Sequence, residues 1–261
     1  MLKCRGATLP VVASLPEYFA VKGFQNPSDA FDGPWQYTKQ TKDHYFDWIA
    51  KPPKLQEAFN TVMTISRLAR GDEWFDFYPV EEKLLVNLPE DTLLVDIGGG
   101  IGHDIIALKN RFPNIKGKLI VEDLPIVAAE AKNLPAGIEA VGHDFFEPHP
   151  SSLANARAYY LRTVLHDWPD KQAKVILEQV RAVMAKDSIL LINENAIPDS
   201  NVPLYPAQLD FTMMACFSSL DRTEQQFSNL LDSAGFTLVK VWRPKVVLPG
   251  SAVLFEAVPK Y

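Results

Sequence analysis

Apolar and polar positions change their rhythm twice along the chain. Residues 1–43 are punctuated by Pro10, Pro16, Pro27 and the pair Gly33-Pro34, and that density of breakers predicts irregular structure with one short helix near 16–22. Over 44–70, Phe46, Ile49, Phe59, Val62, Met63 and Leu68 recur at helical spacing, interrupted at Pro52-Pro53, so two amphipathic helices are expected. From Leu93 onward, short apolar runs alternate with helical patterns. Runs at 93–97, 118–122, 138–141, 158–162, 188–194, 237–241 and 253–257 predict strands, and 102–112, 125–132, 171–184 and 224–234 predict helices between most of them. Nearly continuous apolar strands alternating with helices imply an α/β fold whose parallel sheet is covered on both faces. Only a Pro/Gly-containing loop separates the last two runs, so the final strand is expected to lie antiparallel to its neighbour.

Composition narrows the partners. Among 261 residues, 26 Lys+Arg stand against 32 Asp+Glu, a net charge of −6, and a mildly acidic chain lacks the basic face that nucleic acid requires. No apolar run approaches the roughly 18 residues of a membrane span. Two cysteines, Cys4 and Cys216, are too few for a disulfide framework or a Cys-rich zinc site, and reduced thiols point to the cytosol. Lys3 and Arg5 before the apolar stretch 7–15 have the outline of a signal peptide, but Pro10 and Pro16 interrupt it and no clear cleavage site follows.

The strongest local pattern is Asp96-Ile97-Gly98-Gly99-Gly100-Ile101-Gly102. A buried strand runs into a glycine turn, and the helix behind it offers free N–H groups to a ligand. Such turns bind nucleotide-like ligands at the carboxyl ends of parallel strands. The dinucleotide fingerprint G-x-G-x-x-G is not met, because His103 stands where its last glycine would fall. Asp96, two residues before the first glycine, would repel a pyrophosphate but suits a cationic amino group. That tilts the ligand from NAD toward S-adenosylmethionine, which carries a sulfonium and an α-ammonium. After the second strand, Asp123 is positioned to accept from both ribose hydroxyls, with Glu122 as the neighbouring competitor and a helix cap before Pro125 as the structural alternative. After the third, Asp144 and Phe145 are placed to hold an adenine by a hydrogen bond and ring packing, or else form a turn beside a core aromatic.

The fourth strand runs into Tyr160-Leu161-Arg162-Thr163-Val164-Leu165-His166-Asp167-Trp168-Pro169-Asp170. Together with the glycine turn, Asp123-Leu124-Pro125 and Asp144-Phe145, this resembles the S-adenosylmethionine-dependent O-methyltransferases of plant and fungal secondary metabolism, whose familiar members act on caffeic acid and flavonoids. The resemblance covers residues 75–258, with several motifs in the right order. It implies the Rossmann-like class I methyltransferase fold: a seven-stranded, mostly parallel sheet with an antiparallel last strand. It also implies a helical segment 1–74, the remnant of a dimerisation region, ahead of a catalytic domain 75–261. The cofactor would be held by Asp96, Gly98, Gly100, Asp123, Leu124, Asp144, Phe145 and Arg162. The reaction implied is methyl transfer to a hydroxyl of an aromatic or polyketide-type metabolite, with S-adenosylhomocysteine as product.

His166 has its own chemical reading. A phenol with a pKa of about 10 is a poor nucleophile at neutral pH, and a histidine near 6.5 can take its proton as the bond forms. Such a base needs an acceptor on its second nitrogen. Two carboxylates are available: Glu194, ending the fifth strand, and Asp221, in Leu220-Asp221-Arg222-Thr223-Glu224. The resemblance implies that both flank His166, with Asp221 standing where relatives usually carry Glu; capping the next helix is the other reading of Asp221. Arg162, where relatives often place Lys, is expected to pair with the carboxylate of the methionine moiety, the alternative being a salt bridge. Trp168 either walls the site or packs the core. Residues 210–217 read as a helix with an apolar face. The resemblance makes Asp210, Met213, Met214 and Phe217 part of the acceptor pocket, an ordinary core helix being the alternative.

The family usually carries a longer N-terminal, winged-helix-like domain that dimerises and closes over substrate. With only its last part present, self-association through 44–70, or a partner chain supplying the rest, is expected. Two other functions share the fold: a relative using bound cofactor as a fixed charge for pericyclic or dehydration chemistry, and a non-catalytic binding module. A serine hydrolase lacks its G-x-S-x-G elbow here, and a P-loop is absent. No metal is expected, because His143, Asp144, His166 and Asp167 show no recognisable ligand spacing.

Overall fold

The computed structural model describes residues 2–68, 71–86, 92–246 and 251–261. Its N-terminal segment departs from the irregular structure the prolines imply. One helix, α1 (Leu2–Lys22), runs through both Pro10 and Pro16. An interior proline removes a hydrogen bond and costs about 3 kcal/mol. Both prolines lie on the exposed face, where water reaches the carbonyls they leave unbonded. The opposite face buries Ala7, Val11, Leu15 and Tyr18, and three large side chains at roughly 1.5–3 kcal/mol each offset the prolines.

The partners of that face come from far along the chain. Trp35 lies in α2 (Pro34–Lys39), Tyr45 and Ile49 in α3 (Tyr45–Ala50), and Met213, Cys216 and Phe217 in a helix at Leu204–Phe217; all join α1 in one apolar cluster. The helix pair expected around Pro52-Pro53 is present as α3 and α4 (Pro53–Leu68). Phe46 and Phe59 pack against the cluster, whereas Met63 is exposed and the side chain of Leu68 lies outside the described positions. Two one-turn helices that the hydrophobic pattern does not reveal follow, α5 (Trp74–Phe77) and α6 (Val80–Lys83). They lay Trp74 against Tyr160, ring centroids 5.1 Å apart.

The sheet forms where the apolar runs place it. β1 (Thr92–Ile97) is buried at all six positions and pairs in parallel with β2 (Lys118–Asp123) and β4 (Ala158–Arg162). β3 (Ile138–Gly142) extends one side and β5 (Ile189–Asn195) the other, both parallel. β6 (Phe236–Trp242) and β7 (Ala252–Pro259) complete the order β3-β2-β1-β4-β5-β7-β6. β7 is antiparallel to both of its neighbours, as the short loop before it requires. Successive residues of β1 point to opposite faces, so Val95 and Ile97 join one core and Leu94 the other. The connections are α7 (His103–Arg111), α8 (Pro125–Ala128), α9 (Asp170–Val183), and the consecutive α10 (Leu204–Phe217) and α11 (Glu224–Ser233). No described helix is long and apolar enough to cross a membrane. Strand order reverses between β1 and β4, the switch point at which ligands of open α/β sheets bind.

Beyond β1 the glycine turn is shaped by two constraints. Gly98 and Gly100 take φ of 67° and 63°, a region that costs a side-chain-bearing residue about 1–2 kcal/mol. Gly99 has a different reason: a Cβ there would sit 2.6 Å from Asp96 Cγ and 2.7 Å from Val121 Cγ2, both on buried residues. Gly99→Ala should therefore lower stability by about 1–3 kcal/mol in urea denaturation, and by less in a Val121→Ala background, where one of the obstructing atoms is gone. Equal costs in both backgrounds would contradict this packing.

Candidate active site

The loops at the carboxyl ends of β1, β2 and β3 bring one set of expected residues together. Asp96 is buried beneath Gly99. Asp123 Oδ2 accepts from the Gly100 N–H and Oδ1 from the Leu124 N–H, each at 2.8 Å. Burial raises the Asp123 pKa, and the two N–H bonds counter it in part. Its competitor Glu122 occupies the opposite face of the strand, fully buried, with its carboxylate 3.1 Å from His149 Nδ1. Leu124 is exposed. Asp144 folds back so that Oδ1 accepts from the Phe146 N–H at 3.0 Å, an Asx turn. Phe145 lies over the turn, its Cε1 3.7 Å from where a Cβ on Gly98 would be. Arg162, at the end of β4, is already engaged: Nη1 donates to Asp104 Oδ2 at 3.0 Å and to Glu73 Oε2 at 3.3 Å. These two protein carboxylates are its partners, in a pair far more buried than an ordinary surface salt bridge.

A second set converges after β4. Thr163 takes φ of 48°, unusual for a β-branched residue. A single 3₁₀ turn, Leu165–Asp167, follows and carries His166. Glu194 acts on the imidazole through its charge and on the turn through the main chain. Its Oε1 accepts from the backbone N–H groups of Val164 and Leu165 at 2.9 Å and of His166 at 3.4 Å, so it grips the main chain of the turn. The carbonyls of the same turn are held by Arg222, fully buried, whose Nη1 and Nη2 donate to Leu165 O at 2.7 Å and Trp168 O at 2.8 Å. Its Nε donates to Asp170 Oδ1 at 2.9 Å.

The ring of His166 has acids at both nitrogens. Nδ1 lies 3.2 Å from Asp221 Oδ1 and Nε2 3.6 Å from Asp167 Oδ1. Only the Asp221 contact is a hydrogen bond, so in the neutral imidazole Nδ1 donates to that carboxylate and Nε2 keeps the lone pair. Burial on its own would lower the His166 pKa, but Asp167, Glu194 and Asp221 outweigh it and push it up to about 10. Burial pushes Asp167 up to about 7 against the pull of His166, and raises Glu194. The capping alternative for Asp221 does not apply, because α11 is capped by Thr223, whose Oγ1 accepts from the Gln226 N–H. Asp210 is redirected as well: its Oδ1 accepts from the Asp221 N–H at 2.9 Å, which fixes the acid that holds His166.

On the acceptor side, Trp168 is buried in the core and stacks on His44, centroids 4.3 Å apart at 13°. His44 also contacts Phe217 at 5.9 Å, and burial pushes it down to about 4, leaving it neutral. Met213 and Phe217 are buried in the cluster with α1, α2 and α3, while Met214 is half-buried against it. Sequence reasoning missed His44, Asp167 and Arg222. The last two stand next to residues it did select, in His166-Asp167 and Asp221-Arg222, and that adjacency was the available signal. Nothing local marks His44.

Comparison with known proteins adds an independent line. The family described as an O-methyltransferase domain matches residues 34–237. Methyltransferase cfoC of Aspergillus candidus is 39% identical over 234 residues, covering 88% of this chain and 57% of that protein. Demethylsterigmatocystin 6-O-methyltransferase of Aspergillus flavus is 37% identical over 232 residues, covering 88% of this chain and 58% of that one; the chain thus spans less than two thirds of both. Among solved structures, LepI in complex with SAM superposes with a TM-score of 0.88 at 30% identity, covering 97% of this chain and 64% of that chain. OxaC in complex with SAH and oxaline gives 0.86 at 28%, covering 98% and 64%. The match over most of the chain, on the sheet order and loops already described, places it in the O-methyltransferase domain family.

Proposed function

We propose that this chain binds S-adenosylmethionine at the glycine turn and transfers its methyl group to a hydroxyl of an aromatic or polyketide-type metabolite, with His166 as general base. The observation that carries this reading is the His166–Asp221 pair, set on a turn clamped by Glu194 and Arg222. Residues at the ends of β1 to β4 fit the cofactor. Asp123 stands at the turn for a ribose, Asp144 and Phe145 flank it for an adenine with Leu124 as an apolar neighbour, and the buried Asp96 suits an ammonium group. Gly98 and Gly100 let the backbone approach it. Arg162 would share its charge between a ligand carboxylate and Asp104. Bound there, the cofactor supplies an electrophilic methyl on a sulfonium. His166 Nε2 takes the acceptor's proton; Asp221 holds the tautomer, and Asp167 balances the imidazolium. Trp168, Met213, Met214 and Phe217 back the acceptor, while Asp210 acts through Asp221.

A second reading has a specific observation behind it: a structure described as a pericyclic reaction enzyme superposes at a TM-score of 0.88 with 30% identity. In that reading the cofactor is retained and not consumed. Methyl-labelled cofactor separates the two, since label appears in product only under transfer. Binding seen by calorimetry with no product from any substrate would point instead to a non-catalytic member. Segment 1–74 is proposed as part of a dimerisation region, and exposed Leu9, Met63 and Ile65 on α1 and α4 support self-association; light scattering showing a clean monomer would count against it.

Two outcomes test the base. His166→Ala should lower methyl transfer by about 10²–10⁴-fold while calorimetry finds cofactor affinity retained; near-wild-type turnover would remove the assignment. The raised His166 pKa also sets a pH dependence. Below it the ring is protonated and cannot accept, so kcat/KM should climb through neutral pH and level off only in the alkaline range. Asp221→Asn removes one of the charges that raise the ring, so the rising limb should move to lower pH as the plateau falls. A wild-type profile flat from pH 6 to 9 would contradict this. Linkage has the same sign: the stability His166 contributes is complete below its unfolded value of about 6.5 and is lost as pH rises toward about 10.

A further inference from the structure

The proposed transfer leaves one buried cluster of ligating side chains unused. Glu122, on β2, is fully buried, and His149 is buried beside it, its Nδ1 3.1 Å from Glu122 Oε2. His143, half-buried, packs its ring 5.0 Å from that of His149. One ligating atom from each of the three lies within 4.8 Å of the others. The Glu122–His149 approach has the distance of an ion pair without the alignment of a hydrogen bond. Neither oxygen of Glu122 and neither ring nitrogen of His149 has a hydrogen-bond partner among the described residues. Four orphaned polar atoms at one buried point are costly, at roughly 1–3 kcal/mol each.

We propose that Glu122, His143 and His149 form a site for a divalent transition metal, with Zn²⁺ the best fit. Two imidazoles and one carboxylate are a zinc donor set that leaves a fourth position open. Ligand bonds of about 2.0–2.2 Å separate tetrahedral donors by about 3.3 Å, close to the Glu122–His149 spacing, and the half-buried His143 is the ligand free to close the remainder. Its Nε2 lies 3.2 Å from Glu147 O; donating there leaves Nδ1 with a lone pair, an arrangement typical of a metal-bound histidine. The two histidines bracket the loop that carries Asp144 and Phe145, and Glu122 precedes Asp123. A metal here pins the β2 and β3 loops to each other, a structural task separate from proton transfer.

The test uses the untagged full chain, stripped with chelator and titrated with ZnCl₂ by calorimetry, with a thermal melt at each step. One equivalent should bind and raise the melting temperature, whereas Mg²⁺, which prefers oxygen donors, should do neither. Co²⁺ in its place should give the visible absorption of a four-coordinate site with nitrogen ligands. His143→Ala and the isosteric Glu122→Gln should each weaken Zn²⁺ by more than about 100-fold, beyond the loss of an outer hydrogen bond, with the circular dichroism of the metal-free protein unchanged. No binding at tens of micromolar Zn²⁺, or binding that survives both substitutions, would overturn the site. A melting temperature that follows pH but ignores Zn²⁺ would also overturn it, and identify a plain Glu–His ion pair.

Discussion

A carboxylate shut away from water must be neutralised by something, and at Glu194 the neutralising group is the backbone of the turn that carries His166. Three consecutive N–H groups point at one oxygen, which satisfies donors that would otherwise be orphaned in a 3₁₀ turn. Arg222 does the complementary work on the carbonyl side. Neither contact involves a reacting atom, yet together they hold a conformation that Thr163, with its positive φ, disfavours by itself. Removing the Glu194 carboxylate would leave three N–H groups without their acceptor, and removing Arg222 would leave the Leu165 and Trp168 carbonyls without their donor, each buried orphan costing about 1–3 kcal/mol. The turn is thus held from both sides, its N–H groups by Glu194 and its carbonyls by Arg222.

Glu194 also acts on the ring, together with two other acids. Asp167, Glu194 and Asp221 all favour a protonated His166 against the effect of burial. A base that strongly prefers to be charged is of little use at neutral pH unless another cation enters the site. A donor bearing a sulfonium would be drawn in by the surplus of acids and would push the ring back toward neutrality. The proposed transfer would consume that positive charge, so the spent donor would lose the attraction that brought it.

What could be read in advance divides along a physical line. Strand runs are local, and each predicted strand lies within two residues of the observed one, including the antiparallel β7. His166, Asp221 and the glycine turn stood out because their chemistry is written in short motifs. Partners chosen by tertiary packing did not. α1 looked broken at Pro10 and Pro16 because the side chains that repay its prolines, in α10, lie some two hundred residues later. Arg162 looked available because Glu73 and Asp104 are 89 and 58 residues away from it. Glu194 was placed beside the right residue but on its backbone, and side-chain direction is not a property of spacing. Glu122 and His149 were invisible as a pair for the same reason: a strand end and a later loop meet only once β2 and β3 are in register.

The register between β1 and β4 ties the two halves of the site together. β1 pairs with β4 so that Asp96 faces Tyr160 and Ile97 faces Leu161; the glycine turn and the His166 turn therefore leave the sheet side by side. Their contact is close: a Cβ on Gly98 would stand 2.8 Å from Val164 Cγ2, and the Val164 N–H is one of those bound by Glu194. A side chain at Gly98 would thus do more than obstruct a ligand. It would press on a turn that cannot yield without stretching the Glu194 and Arg222 bonds, and so would displace the base. The glycine is constrained from both sides, by the proposed ligand that would approach its backbone and by the His166 turn packed behind it. That double demand is what fixes the distance between the proposed donor site and the proposed base.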